Sequence, residues 1–573
     1  MTQSAGSAAR FSDAVENALT WRLDPDTVGC SLIAATRQNP HGDALIMDGR
    51  RVTYAELLDD VLLWSRALIG AGVRKGDHVG VLMPNCWDYI LLFYATNMIG
   101  ATACTLNARY READLRFVIP NADVSLLIIG GQAWQHSDFR AMVCNVFPGI
   151  AAWNGTSRLQ IAEAPELRGL YNLDDPRETQ FPTKSTLLAG AEPIDLAAVQ
   201  AMAESTGGRD ISLLMFSSGT TSNPKACMIS HFCLNATGRA LSERFRMVAS
   251  DRFWDPLPYF HMSTMLPLAA CRASTAAFIG TAHFDAGKSL DTIEQERASI
   301  LYSSFPMITN PLVHHASFDQ RDLSSVRLVE NVGPVDLLRL YADKIPNAVH
   351  INCYGLTEAS GVPVYSELTD TFEQRTQTSG RPFPGVEIRI ADPDTLEPMA
   401  QGGIGEIWIR GFVVFSGYYG DEAKTRDTIT PEGWLRTGDI GSLDPNGRLI
   451  YRGRFKDMLK IGGENVAAVE LESYLHTHPA VQLAQVVGVP DDHLIEVACA
   501  FIEFKPGATA TEQELVDYCI GKIASYKIPR YIRFVSAWPM SATKVQKFKL
   551  TQTFTPTNKF DVRALVTASR TKG

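Results

Sequence analysis

The chain has 573 residues, 45% hydrophobic and 20% charged, with a formal net charge of −10. That length exceeds what one hydrophobic core normally serves, so two or more domains are expected. The acidic balance argues against nucleic acid as the main partner, and ten cysteines without a C-x-x-C pair give neither a zinc site nor a disulfide framework. The opening residues Met1-Thr2-Gln3-Ser4-Ala5-Gly6 lack the basic and apolar regions of a signal peptide, so a cytoplasmic location is expected.

Tyr54 to Ala71 reads as an amphipathic helix, with Leu57, Val61, Leu62, Trp64 and Leu68 broadly on one side. His78 to Met83 reads as a buried strand closed by Pro84-Asn85. Residues 89–106 are the most membrane-like stretch. Thr96, Asn97, Gly100 and Thr102 make them a buried helix (Tyr89 to Ile99) running into a strand (Ala101 to Leu106), not a span. This alternation predicts a layered α/β architecture with mainly parallel pairing. Residues 160–210, rich in Pro, Gly and charge, predict an irregular surface connection.

The strand-like run Ile211 to Phe216 leads into the most informative stretch of the chain. Ser217, Ser218, Thr220, Thr221 and Ser222 place five small hydroxyls around Gly219, with Lys225 following. Glycine lets backbone approach a polyanion, hydroxyls and N–H groups donate to phosphate oxygens, and lysine adds positive charge. Pro224 and Ala226 flank Lys225, so no hydroxyl follows the lysine and the P-loop pattern is excluded. Past residue 400, Gly405 to Gly411 alternates as a half-buried strand should. Gly417 to Asp439 is turn-rich and aromatic, and Asp444 to Arg448 is a hairpin turn leading into Leu449-Ile450-Tyr451. A helix from Ala467 to His476 and a strand near Ala484 to Val489 begin a compact α+β C-terminal unit.

Phe216 to His231 resembles the phosphate-binding signature of the adenylate-forming superfamily, which holds acyl-CoA synthetases, peptide-synthetase adenylation domains and firefly-type luciferases. It departs at Ser222 and Ala226, where glycines are usual, and loses no phosphate donor. Further segments match in the same order. Pro258-Tyr259-Phe260-His261-Met262 is similar to the acyl-pocket segment, which puts His261 where carboxylate and α-phosphate meet. Asn331-Val332-Gly333-Pro334 stands at the turn beside adenine and acyl chain, with Gly333 retained. Tyr354-Gly355-Leu356-Thr357-Glu358 looks like the adenine and metal motif: an aromatic face stacks on a purine, Thr357 donates to the α-phosphate and Glu358 binds Mg²⁺ through oxygen.

In Gly433-Trp434-Leu435-Arg436-Thr437-Gly438-Asp439, the Asp439 carboxylate is the candidate acceptor for both ribose hydroxyls, with Arg454 reaching the same ribose. Lys456 falls at the family's hinge position. Lys460 and the turn Gly462-Gly463-Glu464-Asn465 resemble the face presented during thioester formation. Pro539 to Leu550 is similar to the ending of members related to fatty-acid synthetases. One glycine is missing there, and Lys544 falls at the catalytic lysine position.

The resemblance covers about residues 30 to 555 and implies an α/β protein with two parts. Residues 1–453 form a large, multi-sheet, ATP- and acyl-binding domain, and residues 454–573 a small mobile α+β domain rotating about Lys456. It implies ATP, Mg²⁺ and coenzyme A acting on a carboxylic acid; the apolar and small residues Met262, Met265, Val332, Ala359, Gly361 and Val362 suggest an apolar acyl group, and dimerisation stays open. The favoured reading is a carboxylate–CoA ligase. An adenylating enzyme that loads a carrier protein or oxidises its adenylate, and a catalytically weak nucleotide- or acyl-adenylate-binding protein, are the alternatives.

Overall fold

The computed structural model describes residues 11–131, 137–174, 178, 180–217, 224–333, 335–461, 464–491, 494–540 and 545–562. Two mainly parallel sheets dominate the first 350 residues. One runs Gly169–Asn172, Val124–Ile129, His78–Leu82, Thr102–Leu106, Ile211–Ser217, Lys225–Ser230, with only its last pair antiparallel. The other runs Val349–Ile351, Leu328–Asn331, Ile300–Ser304, Arg252–Asp255, Ala277–Gly280, Asp43–Met47, Arg50–Thr53. Their inward residues, Val79 and Leu213 from one and Phe253 and Phe278 from the other, share a core with the helices Tyr54–Gly70, Trp87–Met98, His231–Arg244 and Met262–Ser274. Parallel strands covered on both faces need continuous apolar runs, and Val124–Ile129 is buried at every position.

The Tyr54–Gly70 helix starts where its sequence dictates. Thr53 accepts from the Glu56 amide at 3.2 Å, and the Glu56 carboxylate accepts from the Thr53 amide at 2.8 Å, so two otherwise orphaned donors are satisfied. The Trp87–Met98 helix is buried almost all round, which accounts for its apolar composition. Among the described residues no helix is long and apolar enough to cross a membrane.

Two expectations are corrected. Residues 160–210 hold a strand, Gly169–Asn172, and two helices, Lys184–Ala189 and Leu196–Ser205. Each helix sinks only one or two side chains (Leu187; Val199 and Ala203), too few to leave a readable period. The Gly405–Gly411 strand is buried along its first five positions. Ile407 and Ile409 face the main core, while Trp408 on the other side is covered by Trp434 and Ala391.

Antiparallel sheets follow. Cys353–Leu356, Gly361–Tyr365 and Arg381–Pro382 form one; Val386–Ala391, Gly405–Gly411, Leu435–Leu443 and Leu449–Arg454 form the next. Beyond them Met458–Ile461, Glu464–Ala467, Val481–Asp491, Ile495–Phe504 and Tyr531–Phe534 make a five-stranded sheet. Its own core includes Leu459, Leu471, Val486, Ile502 and Leu515. The Val481–Asp491 strand extends the expected Ala484 to Val489 at both ends.

Arg448 and Asp370 lock the four-stranded sheet to the loop that follows Gly361–Tyr365. Their side chains are 7% and 2% exposed and 2.5 Å apart. Arg448→Met leaves a buried carboxylate without its counter-charge, and chemical denaturation should show a loss of about 3–5 kcal/mol. Arg448→Met combined with Asp370→Asn should cost clearly less.

Candidate active site

The phosphate-loop expectation lands on a hairpin. Ile211–Ser217 and Lys225–Ser230 pair antiparallel, with Ser217 opposite Lys225. Ser218, Gly219, Thr220, Thr221 and Ser222 lie outside the described residues. The segment 416–419 extends this hairpin: Ser416 donates to Met228 O at 2.8 Å, Met228 to Gly417 O at 3.0 Å and Tyr419 to Ala226 O at 2.8 Å. Buried Tyr418 projects from that segment. Its ring lies 5.4 Å from the Lys225 ammonium, and its hydroxyl donates to Glu358 Oε1 at 3.0 Å. Burial, then the Glu358 charge, push the Tyr418 hydroxyl far above its ordinary pKa, so it stays a donor. The hairpin base and the Thr357-Glu358 turn are thereby tied through one phenol.

Tyr354 and Gly355 lie in the short strand Cys353–Leu356, and Thr357–Ala359 form a single 3₁₀ turn. A Cβ on Gly355 would stand 2.2 Å from the Gly361 carbonyl oxygen, so only glycine lets the backbone double back here. Gly361 itself abuts Leu266 and Met262 of the helix that begins after His261. His261 holds the N-cap position of that helix and packs on Phe260, ring centroids 4.8 Å apart. Gly333 is different: the nearest atoms to a Cβ there are 3.7 Å away, on Leu337 and Pro306. Its presence is not demanded by packing.

Asp439 sits inside the Leu435–Leu443 strand, 3% exposed. Tyr354 donates to Asp439 Oδ2 at 2.7 Å, and Arg454 Nε, directly opposite on the neighbouring strand, lies 3.3 Å from Oδ1. Burial alone would lower the Arg454 pKa, but Asp439, Tyr451, Asp457 and Glu358 outweigh it and the guanidinium is held charged. Tyr451 packs on Tyr354 with centroids 5.4 Å apart. Glu406 supports the approach to Asp439: its carboxylate accepts from Gly438 N at 2.9 Å and Trp408 Nε1 at 2.7 Å.

Glu406, Tyr418 and Tyr451 were not picked out by the sequence, and neither was Glu330. Glu330 is fully buried; Oε2 accepts from Ser304 Oγ at 2.5 Å and Oε1 from the Cys353 thiol at 3.0 Å. Burial pushes its carboxyl up to about 7 against those two hydrogen bonds. The titratable groups that face it are Asp255, Tyr302, Cys353 and Tyr365. The only sequence signal was a charge inside an apolar strand, Leu328-Val329-Glu330-Asn331.

Three of the C-terminal candidates fall among the described residues. Lys460 is exposed in the Met458–Ile461 strand, where its amide donates to Glu496 at 2.9 Å. Lys456 lies in the 3₁₀ turn Phe455–Asp457 and Glu464 opens the Glu464–Ala467 strand. Gly462, Gly463 and Lys544 lie outside the described residues. The neighbours of the Lys544 segment, Met540 and Val545, pair in an isolated bridge and line a crevice of about 1270 Å³. Met307, Asn310, Arg454, Val487 and Trp538 line it too.

Residues 33–419 match the AMP-binding enzyme family and residues 470–544 its C-terminal domain. The chain belongs to this adenylate-forming family, on the acyl-CoA synthetase branch. It is 33% identical to the putative acyl-CoA synthetase YngI of Bacillus subtilis over 91% of this chain and 96% of that protein. It is 31% identical to the mitochondrial medium-chain acyl-CoA ligase ACSF2 of Rattus norvegicus, over 91% and 87%. The anthranilate CoA ligase AuaEII, solved with anthranoyl-AMP, superposes with a TM-score of 0.79 at 25% identity, covering 94% of this chain and 98% of that one.

Glu330 gives this site a measurable pH signature. Its folded pKa lies above the ordinary carboxyl value, so the neutral form contributes stability that is whole below about pH 4.5 and is lost as pH rises through about 7. The difference is up to about 3 kcal/mol. The Tm of Glu330→Gln should therefore fall less than the wild-type Tm between about pH 5 and about pH 8. Equal falls would show that the buried acid carries no such cost.

Proposed function

We propose that the protein is an AMP-forming carboxylate–CoA ligase acting on an acid with an apolar acyl group. The observation that supports this reading is that three features are linked through one short segment, Tyr354 to Gly361: the Tyr354–Asp439–Arg454 cluster, the Glu358–Tyr418–Lys225 chain and the helix that starts at His261, whose Met262 and Leu266 adjoin Gly361. Their chemistry matches, in order, a ribose, a polyphosphate and a carboxylate. Similarity to a medium-chain acyl-CoA ligase and burial of Met262, Met265 and Ala359 near the turn support an apolar acyl group.

In the first half-reaction a carboxylate oxygen attacks the α-phosphorus of ATP, the bond to the β-phosphate bridging oxygen breaks, and pyrophosphate leaves. Asp439 holds the ribose hydroxyls and Tyr354 offers a face to the adenine, with Gly355 and Gly333 bordering the purine. Ser217, Ser218, Gly219, Thr220, Thr221, Ser222 and Lys225 take the β- and γ-phosphates. Thr357 orients the α-phosphate for in-line attack, and His261 borders the meeting point. Lys544 offsets the repulsion between the two anions. Glu358 is the group that would hold Mg²⁺. No cluster of three or more potential ligands occurs among the described residues, and one carboxylate beside a phosphate loop suits an ion that takes most of its ligands from phosphate and water. When bound, that ion neutralises charge on the departing pyrophosphate.

In the second half-reaction the coenzyme A thiolate attacks the acyl carbon and the bond to the adenylate oxygen breaks, releasing AMP. Lys544 has to vacate the site for the thiol. A boundary at residues 453/454, with rotation about Lys456, would replace it by the face bearing Lys460, Gly462, Gly463 and Glu464.

Carboxylate-dependent exchange of labelled pyrophosphate into ATP tests this reading. Exchange should appear with apolar acids and coenzyme A should convert the adenylate to thioester; no exchange with any acid of a broad panel would sink it. Exchange without thioester formation would favour an enzyme that loads a carrier protein or oxidises its adenylate. Lys544→Ala should slow adenylation by about 10²–10³-fold and largely spare thioester formation from supplied acyl-adenylate. Equal loss of both steps would contradict the rotation.

A further inference from the structure

Glu330 stands where two sheets meet, and neither the fold nor the adenylation chemistry accounts for an acid there. It belongs to the Leu328–Asn331 strand of the seven-stranded sheet. One carboxyl oxygen takes the Ser304 hydroxyl from the adjacent strand, and the other takes the Cys353 thiol from the first strand of the three-stranded sheet. Burying a carboxyl is costly, and an apolar residue would fill the same volume, so its two bonds call for a role.

Ser304 has φ +54°, a left-handed conformation that disfavours side chains other than glycine. The strand register slips there, so that Tyr302 opposes Glu330 but Ser304 opposes Asn331. The Val332 amide then donates to Ser304 O at 2.9 Å, and the Asn331–Gly333 turn hangs from the bent residue. On the other side, Cys353 immediately precedes Tyr354, whose hydroxyl holds Asp439.

We propose that Glu330 is a positioning residue for the nucleotide: by holding Ser304 in its left-handed bend and Cys353 at its strand end, it fixes the spacing between the Asn331–Gly333 turn and the Tyr354 ring. The inference rests on the reading of that turn and ring as the two sides of the adenine site. Glu330 touches no substrate in this scheme. It acts through Ser304 and Cys353. The Tyr302–Tyr365 hydroxyl pair, 2.8 Å apart, joins the same two sheets deeper in the core, so the fold does not depend on Glu330 alone.

Titration calorimetry of AMP on the intact chain tests it. Glu330→Leu, which offers no acceptor, should weaken AMP binding by about tenfold, and Glu330→Gln, which keeps one acceptor for Ser304, by less than about threefold. Ser304→Gly removes the need to hold the bend, because glycine adopts it without strain. Alone it should bind AMP nearly as the wild type does, and combined with Glu330→Leu it should recover most of the lost affinity. The Tm of Glu330→Leu near pH 8 should be no lower than the wild-type Tm, since a buried charge is removed.

Unchanged AMP affinity in Glu330→Leu overturns the proposal. So does a loss that parallels a fall in Tm and is not recovered by Ser304→Gly. If Glu330→Leu does not fold, Cys353→Ala, which deletes one donor, should weaken AMP by about threefold, and no change would overturn it. A wild type that binds AMP but supports no carboxylate-dependent exchange refutes the ligase reading and leaves the Glu330 comparison standing. A wild type that does not bind AMP refutes both.

Discussion

The site depends on supplying one buried carboxylate, Asp439, with polar partners. An isolated ionised carboxyl at 3% exposure would be strongly disfavoured. Two partners make it tenable: a phenol from the three-stranded sheet and a guanidinium from the adjacent strand of its own sheet. Each partner is placed by a separate part of the fold. Tyr354 lies in the Cys353–Leu356 strand just before Gly355, the residue that allows the chain to double back beneath Gly361. Arg454 is fixed by antiparallel register opposite Asp439. Both partners therefore meet Asp439 only through the pairing and packing of the two antiparallel sheets.

The same logic extends outward. Glu358 follows four residues after Tyr354 and reaches, through Tyr418, the base of the phosphate-loop hairpin. Asp439 and Lys225 are thus joined by a run of contacts through Tyr354, the Thr357–Ala359 turn, Glu358 and Tyr418. Such continuity suits chemistry in which ribose, phosphate chain and carboxylate must be aligned at once, because positional error along the nucleotide degrades in-line attack. Arg454 has a second setting. It is the last residue of its strand, adjoins the 3₁₀ turn containing Lys456 and borders the crevice next to the C-terminal sheet. The guanidinium that pairs with Asp439 is thus one residue away in sequence from the 3₁₀ turn that leads into the C-terminal sheet.

Much of this was legible in the sequence, and the limits follow from physics. The helix at Tyr54 and the strand at His78 could be read because an amphipathic spacing (Leu57, Val61, Leu62, Trp64, Leu68) and an uninterrupted apolar run are local signals. Tyr354, Thr357, Glu358, Asp439 and Arg454 could be read because their spacing resembles a known family. Tyr418 and Glu406 could not. Their roles arise from register between strands distant in sequence, and each sits in a stretch that by itself reads as an aromatic turn or an alternating strand. Glu330 left a trace, a charge within an apolar strand, but its meaning required the φ of Ser304 and the approach of Cys353. The helices at Lys184 and Leu196 were missed because one or two buried side chains make no period.

The central claim is that a carboxylate oxygen bonds to the α-phosphorus of ATP. Incubating the enzyme with ATP, coenzyme A and a substrate acid labelled with heavy oxygen in its carboxylate, then weighing the nucleotide and phosphate products, tests this most directly. An acyl-adenylate route transfers a single labelled oxygen to AMP and none to pyrophosphate. Label in inorganic phosphate, or unlabelled AMP alongside a formed thioester, would contradict it.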